Sequence, residues 1–176
     1  MKTELEVKIL NINKEEVIKK LESIGAKKVG EYFQRRLIYT FDKNKEDSWI
    51  RLRTNGKKHT LTIKERASET ISGVKELEIE VSSFEETNKI LEKLGYEHEA
   101  YQENKRISFL LDDVEIEIDT WPMLKPHLEI EADSKEKIRK VVELLEYKME
   151  DTCSKSALTL YKEIGIDLST IKELKF

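Results

Sequence analysis

Residues 3–10 read TELEVKIL, and the same alternation of charged with apolar residues returns at KELEIEV (75–81), VEIEIDTW (114–121) and HLEIEA (127–132). Successive residues of an extended strand point to opposite faces. Glu4, Glu6 and Lys8 therefore share one face of the first stretch, and Leu5, Val7 and Ile9 share the other. The acidic rows continue as Glu76, Glu78 and Glu80, as Glu115, Glu117 and Asp119, and as Glu129 and Glu131. Cations hold the same register elsewhere: Arg36 beside Gln34 in YFQRRLIYTF (32–41), Arg51 and Arg53 in SWIRLRT (48–54), Lys64 and Arg66 in HTLTIKER (59–66), and Arg106 in KRISFLL (105–111). Each strand thus offers an apolar face for packing and an ionic face opposite it.

Three of these strands are followed by a helical pattern. In NKEEVIKKLESIG (13–25), Asn13 and Glu16 supply an N-cap and its partner, Val17, Leu21 and Ile24 make an apolar stripe, and Gly25 ends it. The second copy, SSFEETNKILEKLGY (82–96), carries Phe84, Ile90, Leu91 and Leu94 and stops at Gly95. The third, DSKEKIRKVVELLEY (133–147), is capped by Asp133 and striped by Ile138, Val141, Val142 and Leu145. A fourth helix is expected from Ser154 to Ile164, with a short tail helix near Lys172. Gly56 and the pair Asp112-Asp113 mark hairpins. About eight strands and four helices make an α+β protein built on a large antiparallel sheet.

Composition excludes several classes. The 176 residues include 32 Lys and Arg against 36 Asp and Glu, for a net charge of −4, which opposes general nucleic-acid binding through a basic surface. No apolar run approaches the roughly 20 residues of a membrane span, and the charged N-terminus lacks the apolar core of a signal peptide. A cytoplasmic protein with no membrane partner is expected. The lone cysteine, Cys153, allows neither an internal disulfide nor a cysteine-built metal site.

An ionic sheet face has two readings. It can be the solvated side of an open sheet, as is common in antiparallel sheets. It can also be the inside of a barrel whose apolar exterior is covered by helices. The charges are grouped by strand, and like-charged rows repel. Acidic rows call for a cation between them, basic rows for an anion. A divalent metal with a polyphosphate satisfies both: Mg²⁺ or Mn²⁺ suits carboxylate oxygens, and Arg forks suit phosphate.

Glu4-Leu5-Glu6-Val7-Lys8 has the form E-x-E-x-K, and it resembles the signature of the CYTH superfamily, the triphosphate tunnel metalloenzymes. WIRLR (49–53) resembles the family's R-L-R strand and TLTIKER (60–66) its T-x-K strand; ELEIEV, the Arg106 strand, IEIDTW and HLEIE follow in family order. The resemblance implies a single CYTH-like domain over residues 1–176, folded as an eight-stranded antiparallel β-barrel with a charged lumen and outer helices. By position it implies Glu4, Glu6, Asp119, Glu129 and Glu131 as metal ligands. It implies Lys8, Arg36, Arg51, Arg53, Lys64 and Arg106 as triphosphate-binding groups. Catalytic roles fall to Lys8, Glu4 and Glu6, with Lys8 either a phosphate contact or, if its pKa is lowered among cations, a proton acceptor. The chain departs from the family's K-x-R at Asn104-Lys105-Arg106, where Asn replaces Lys and Lys105 points to the opposite face. His127 alternates onto the face of Glu129 and Glu131, where it could reach a metal, although the family's usual aromatic at this position favours a lining or packing role, and Trp49 and Trp121 read as packing rather than base-stacking groups.

The leading functional expectation is a divalent-metal-dependent triphosphatase, hydrolysing tripolyphosphate, thiamine triphosphate or ATP, with a homodimer possible. The first alternative is a class IV adenylate cyclase making cyclic AMP and pyrophosphate. The second is a non-catalytic polyphosphate or nucleotide-binding module. Some cyclases of the family carry His-Phe ahead of E-x-E-x-K, whereas this chain has Met1-Lys2-Thr3, which tilts the reading toward hydrolysis.

Overall fold

A computed structural model describes residues 1–42 and 47–176, without the side chain of Glu4. The chain runs β1 (Lys2–Ile9), α1 (Lys14–Ser23), β2 (Lys27–Thr40), β3 (Ser48–Thr54), β4 (His59–Arg66), β5 (Val74–Val81), α2 (Phe84–Lys93), β6 (Ala100–Leu111), β7 (Val114–Thr120), β8 (His127–Ala132), α3 (Lys135–Leu144), β9 (Thr152–Cys153), α4 (Ala157–Glu163) and β10 (Glu173–Leu174). Neighbouring strands pair in the order β6-β2-β3-β4-β5-β1-β8-β7, and β7 pairs back with β6. That last pairing joins the two ends of the path, so eight strands curl into one closed antiparallel ring. The ring is unevenly sewn: β1 meets β5 over three residue pairs, from Lys2 to Glu4, and β8 over five, from Leu5 to Ile9.

The expected eight strands become ten because two-residue strands attach outside the ring. Thr152–Cys153 pairs with β1, and Glu173–Leu174 runs parallel to β6. The latter replaces the tail helix expected near Lys172; a single 3-10 turn, Leu168–Thr170, precedes it. The fourth helix starts later than expected, at Ala157, because the Ser156 side chain caps it by accepting from Thr159 N. The cap of α3 is Ser134 rather than Asp133, whose carboxylate instead binds Lys137 Nζ at 2.8 Å. Asn13 caps α1 as expected, accepting from the backbone of Glu15 and Glu16. Gly25 follows that helix at φ +85°, a conformation Cβ-bearing residues disfavour.

The apolar faces of the strands point outward. Val7, Ile9, Ile116, Ile118, Leu128 and Ile130 are buried against Val17 and Leu21 of α1 and Ile138, Val141 and Val142 of α3. Each such side chain contributes roughly 1.5–3 kcal/mol when taken from water. A second core joins Leu37, Tyr39, Ile50 and Leu52 to Phe84 and Leu91 of α2. Ile90 and Leu94, expected in that stripe, stay 60% and 69% exposed, because α2 lays only its Phe84–Leu91 edge on the sheet. A third cluster, Trp121, Tyr161, Leu168 and Leu174, packs the C-terminal segment beside the β7–β8 connection.

Candidate functional site: the ionic lumen

Strand register decides which side chains share the inner face, since directly paired residues of antiparallel strands lie on one side. Around the ring the pairs run Lys8 with Glu129, Glu129 with Glu117, Glu117 with Ser108, Arg106 with both Asp119 and Tyr32, and Asn104 with Gln34. They continue as Arg36 with Arg53, Arg51 with Thr62, Thr62 with Glu78, Lys64 with Glu76, and Glu76 with Lys2. The ionic faces of all eight strands therefore meet in a single lumen, not on a solvated open sheet. Glu6, Lys8, Arg36, Arg51, Arg53, Lys64, Arg106, Asp119, Glu129 and Glu131 all fall in this set. Glu4 lies outside the described side chains. Lys105 pairs with Phe33 and Thr120 on the outer face, and its ammonium sits 4.2 Å from the Phe176 ring.

One wall is acidic. Arg106 donates from Nε to Asp119 Oδ1 at 2.7 Å and from Nη2 to Asp119 Oδ2 at 2.6 Å, and the same Nη2 reaches Glu129 Oε2 at 2.7 Å. It also pairs with Glu117. Lys8 is bound by Glu6 and, at 3.0 Å, by Glu129. Burial by itself would lower the Lys8 pKa, but Glu129 and Glu6 outweigh it and raise it. The expected lowering is therefore reversed: the ammonium is clamped by carboxylates rather than crowded by cations, and they hold it charged. Burial also opposes ionisation of Glu129, yet Lys8, His127 and Arg106 hold its carboxyl well below the usual range. Glu117 goes the other way. Burial, reinforced by Asp119 and Glu129 and only partly offset by Arg106, pushes it up to about 7.

A divalent cation fits that wall. Asp119, His127 and Glu129 present ligand atoms all within 4.8 Å of one another, and His127 Nε2 lies 3.4 Å from Glu129 Oε1. Burial, with Asp119 and Glu129 nearby, is what raises Glu117, so carboxylates crowd one another on this wall. A carboxylate-rich donor set with one imidazole suits a hard or borderline divalent ion. A cavity of about 30 Å³, room for a water or an ion, adjoins Lys8, His127 and Glu129 beneath Trp121, Leu124, Ala157 and Leu160.

The opposite wall is basic. Arg51 Nη2 lies 3.2 Å and Arg53 Nη2 3.7 Å from Glu78 Oε2, which also accepts from Thr62 Oγ1 at 2.6 Å, and Lys64 lies 3.4 Å from Glu76. Repulsion from Arg51, then burial, lowers the Arg53 pKa to about 10. Arg36 is in a harsher position. Among the described residues no carboxylate lies within ion-pair distance of it; Nη2 donates to Gln34 Oε1 at 3.1 Å and to Asn104 Oδ1, and the guanidinium lies 4.5 Å from the Trp121 ring. Burial first, then Arg51, Arg53 and Arg106, push its pKa down. The nitrogens Arg36 Nε, Arg51 Nε and Asn104 Nδ2 and the hydroxyl Thr60 Oγ1 are buried without hydrogen-bond partners. Such orphaned donors are costly unless a ligand completes them.

Sequence reasoning passed over Glu76, Glu117, Gln34 and Thr60 as site residues and left His127 between lining and metal binding, favouring lining. Alternation had already put them on the ionic face; only the pairing of strands distant in sequence shows which ones meet.

The comparisons agree with this geometry. A Pyrococcus furiosus conserved hypothetical protein of known structure is 26% identical, superposes with a TM-score of 0.75, and is matched over 90% of this chain and 99% of its own. A Vibrio parahaemolyticus protein named as a candidate adenylate cyclase shares 14% identity at TM-score 0.76, over 92% and 98% of the two chains. HpAC1 from Hippeastrum, described as having a dominant triphosphatase activity, shares 14% at TM-score 0.63, over 97% and 100%. At those identities the last two establish a common fold. Among curated proteins no relative matches the sequence. The family model of the CYTH domain matches residues 2–157, so the chain belongs to the CYTH family.

Proposed function

We propose that the protein is a divalent-metal-dependent triphosphatase that splits a terminal phosphate from an inorganic or organic triphosphate inside the lumen. The observation that carries this reading is Arg36: a buried guanidinium with no carboxylate partner among the described residues, beside Arg51 and Arg53, facing a carboxylate wall. An anion of several charges supplies what the basic wall lacks. A cation supplies what the acidic wall lacks.

When bound, the cation would neutralise phosphoryl oxygens and polarise the phosphorus under attack. Asp119, Glu129 and His127 would hold it, with Glu6 and Glu131 neighbouring in register. Arg36, Arg51, Arg53 and Lys64 bind and orient the phosphates, and charge stabilisation of this kind is the main catalytic contribution in phosphoryl transfer. Lys8, held charged by Glu6 and Glu129, donates to the substrate from the acidic side. Water adds its oxygen to the terminal phosphorus, the bridging P–O bond breaks, the water's proton passes to the departing phosphate oxygen or to solvent, and the displaced pyrophosphate or organic diphosphate leaves.

Two contacts favour hydrolysis over cyclisation. A cyclase must also fix a nucleobase, and the two tryptophans are engaged: Arg36 covers Trp121 and Arg66 lies 5.9 Å from the Trp49 ring. The test is a metal-by-substrate screen with tripolyphosphate, thiamine triphosphate and ATP, all products resolved. Phosphate release from tripolyphosphate that requires Mg²⁺ or Mn²⁺ is expected, with ADP exceeding cyclic AMP from ATP. Cyclic AMP and pyrophosphate as the main products would replace this reading with the cyclase one. Tight binding without turnover under any metal would replace it with a binding module.

A further inference from the structure

We infer that the outer face of β4 and β5, with the adjoining flank of α2, is the surface through which two copies of this chain form a two-fold dimer. The inference concerns the outside of the ring and stands whatever the lumen binds.

Two contacts fix the groove. The Tyr39 hydroxyl of β2 donates to Asn88 Oδ1 at 2.7 Å, so the Asn88 flank of α2 faces β2. A helix turns about 100° per residue, which puts Asn88 on one side of the buried Leu91, and Ile90 and Leu94 on the other. That second flank faces β4 and β5, because β3 lies between them and β2 in the ring. There Leu77 and Ile79 of β5 are 53% and 55% exposed, beside their cross-strand partners Ile63 and Leu61 of β4. These four side chains floor a groove, and Ile90 and Leu94 form its wall.

Its size suits a second copy. Leu77, Ile79, Ile90 and Leu94 together expose roughly 400 Å² of apolar surface, as much as the largest patches on monomeric proteins. A standard interface takes about 800 Å² from each partner, of which about 65% is apolar in homodimers. The wall and floor of the groove supply most of that core. The charges suit it as well. Lys75 is exposed at the start of the β5 row. Glu86, one turn before Ile90 on the same flank, stands at the other end, because α2 begins just beyond Val81. A two-fold axis turns one groove end for end on the other and sets each Lys75 against the partner's Glu86.

The contact is face to face rather than edge to edge. Among the described residues β5 pairs with β1 only from Val74 to Glu76, so residues 77–81 leave one strand edge open. Antiparallel pairing of that edge with its own copy would bring Glu78 and Glu80 opposite glutamates, and like charges directly opposite repel.

Light scattering and sedimentation equilibrium over a concentration series test the inference. The unmodified chain is expected to reach twice its monomer mass. Ile79→Lys and Leu94→Lys are each expected to raise the dimer dissociation constant at least about a hundredfold, since the two-fold axis counts every lost apolar contact twice. Leu158→Lys, equally exposed but on α4 beside the β7–β8 connection, is expected to leave it unchanged. Lys75→Glu should weaken the dimer, and Glu86→Lys added to it should restore the affinity. Should Ile79→Lys fail to fold, Leu94→Lys on the exposed helix flank decides alone. A monomer at every concentration would overturn the inference and leave the groove to a chain of different sequence. A dimer that survives both Ile79→Lys and Leu94→Lys would overturn it by placing the contact elsewhere.

Discussion

Lys8 and Glu129 face each other across β1 and β8, with Nζ 3.0 Å from Oε1, and Glu129 also accepts from Arg106 Nη2 at 2.7 Å on its other oxygen. One carboxylate thus joins two buried cations of the lumen, one from each side. Removing it leaves both with fewer counter-charges in a place where water cannot replace them.

Glu129→Gln is therefore expected to lower thermal stability. The loss should stay below the roughly 3–5 kcal/mol of a fully unpaired buried charge, since Lys8 keeps Glu6 and Arg106 keeps Asp119 and Glu117. Divalent-cation binding should fall in the same variant. Denaturant melts with and without Mn²⁺ measure both, and an unchanged Mn²⁺-induced stabilisation would remove Glu129 from the metal-holding set.

Arg36→Met is expected to move stability and binding in opposite directions. The buried charge disappears while an apolar contact with Trp121 remains, which should stabilise the ligand-free protein by about 1–3 kcal/mol. Tripolyphosphate affinity should drop more than tenfold. A destabilised variant with intact affinity would mean that Gln34, Asn104 and Trp121 already satisfy this guanidinium.

Glu117 gives the lumen a pH signature. Its folded pKa, about 7, lies above that of an ordinary carboxyl, so the folded state holds a proton that the unfolded chain has released. Its contribution to stability is intact below the unfolded pKa of about 4.3 and is lost as pH rises to about 7. Glu117→Gln should remove that decline and raise the melting temperature more at pH 8 than at pH 5. An identical increment at both values would show that burial, with Asp119 and Glu129, does not hold Glu117 up as described.

Lys105→Ala and Arg106→Ala test the register of β6. Lys105 lies outside the ring with its ammonium near Phe176, a cation–π contact worth about 0.5–1 kcal/mol at an exposed site. Its loss should leave triphosphate binding unchanged. Arg106→Ala leaves Asp119, Glu117 and Glu129 without their shared cation and should cost both stability and binding. The reverse outcome would mean the strand is shifted by one residue.

Much of this protein was legible in TELEVKIL and its echoes. A period of two, with apolar and ionic residues strictly alternating, determines that each strand buries one face and charges the other. Caps such as Asn13 determine where helices start, because the backbone amides they satisfy are neighbours in sequence. The E-x-E-x-K opening carried the family. What local sequence cannot carry is which distant groups meet. Asp133 and Ser134 are both competent caps for α3; Asp133 turns to Lys137, and Ser134 takes the helix. Ile90 and Leu94 have helical spacing, but α2 lays only its Phe84–Leu91 edge on the sheet and leaves them in water. Lys8 shows the same limit. Alternation puts it on the ionic face, yet whether its pKa rises or falls depends on β8 bringing Glu129 opposite it rather than a cation. Local patterning thus determined which residues face inward. Only closure of the ring through the β6–β7 pairing decided which charges stand within a few ångströms of one another, and electrostatic energy depends on that separation and on the exclusion of water between them.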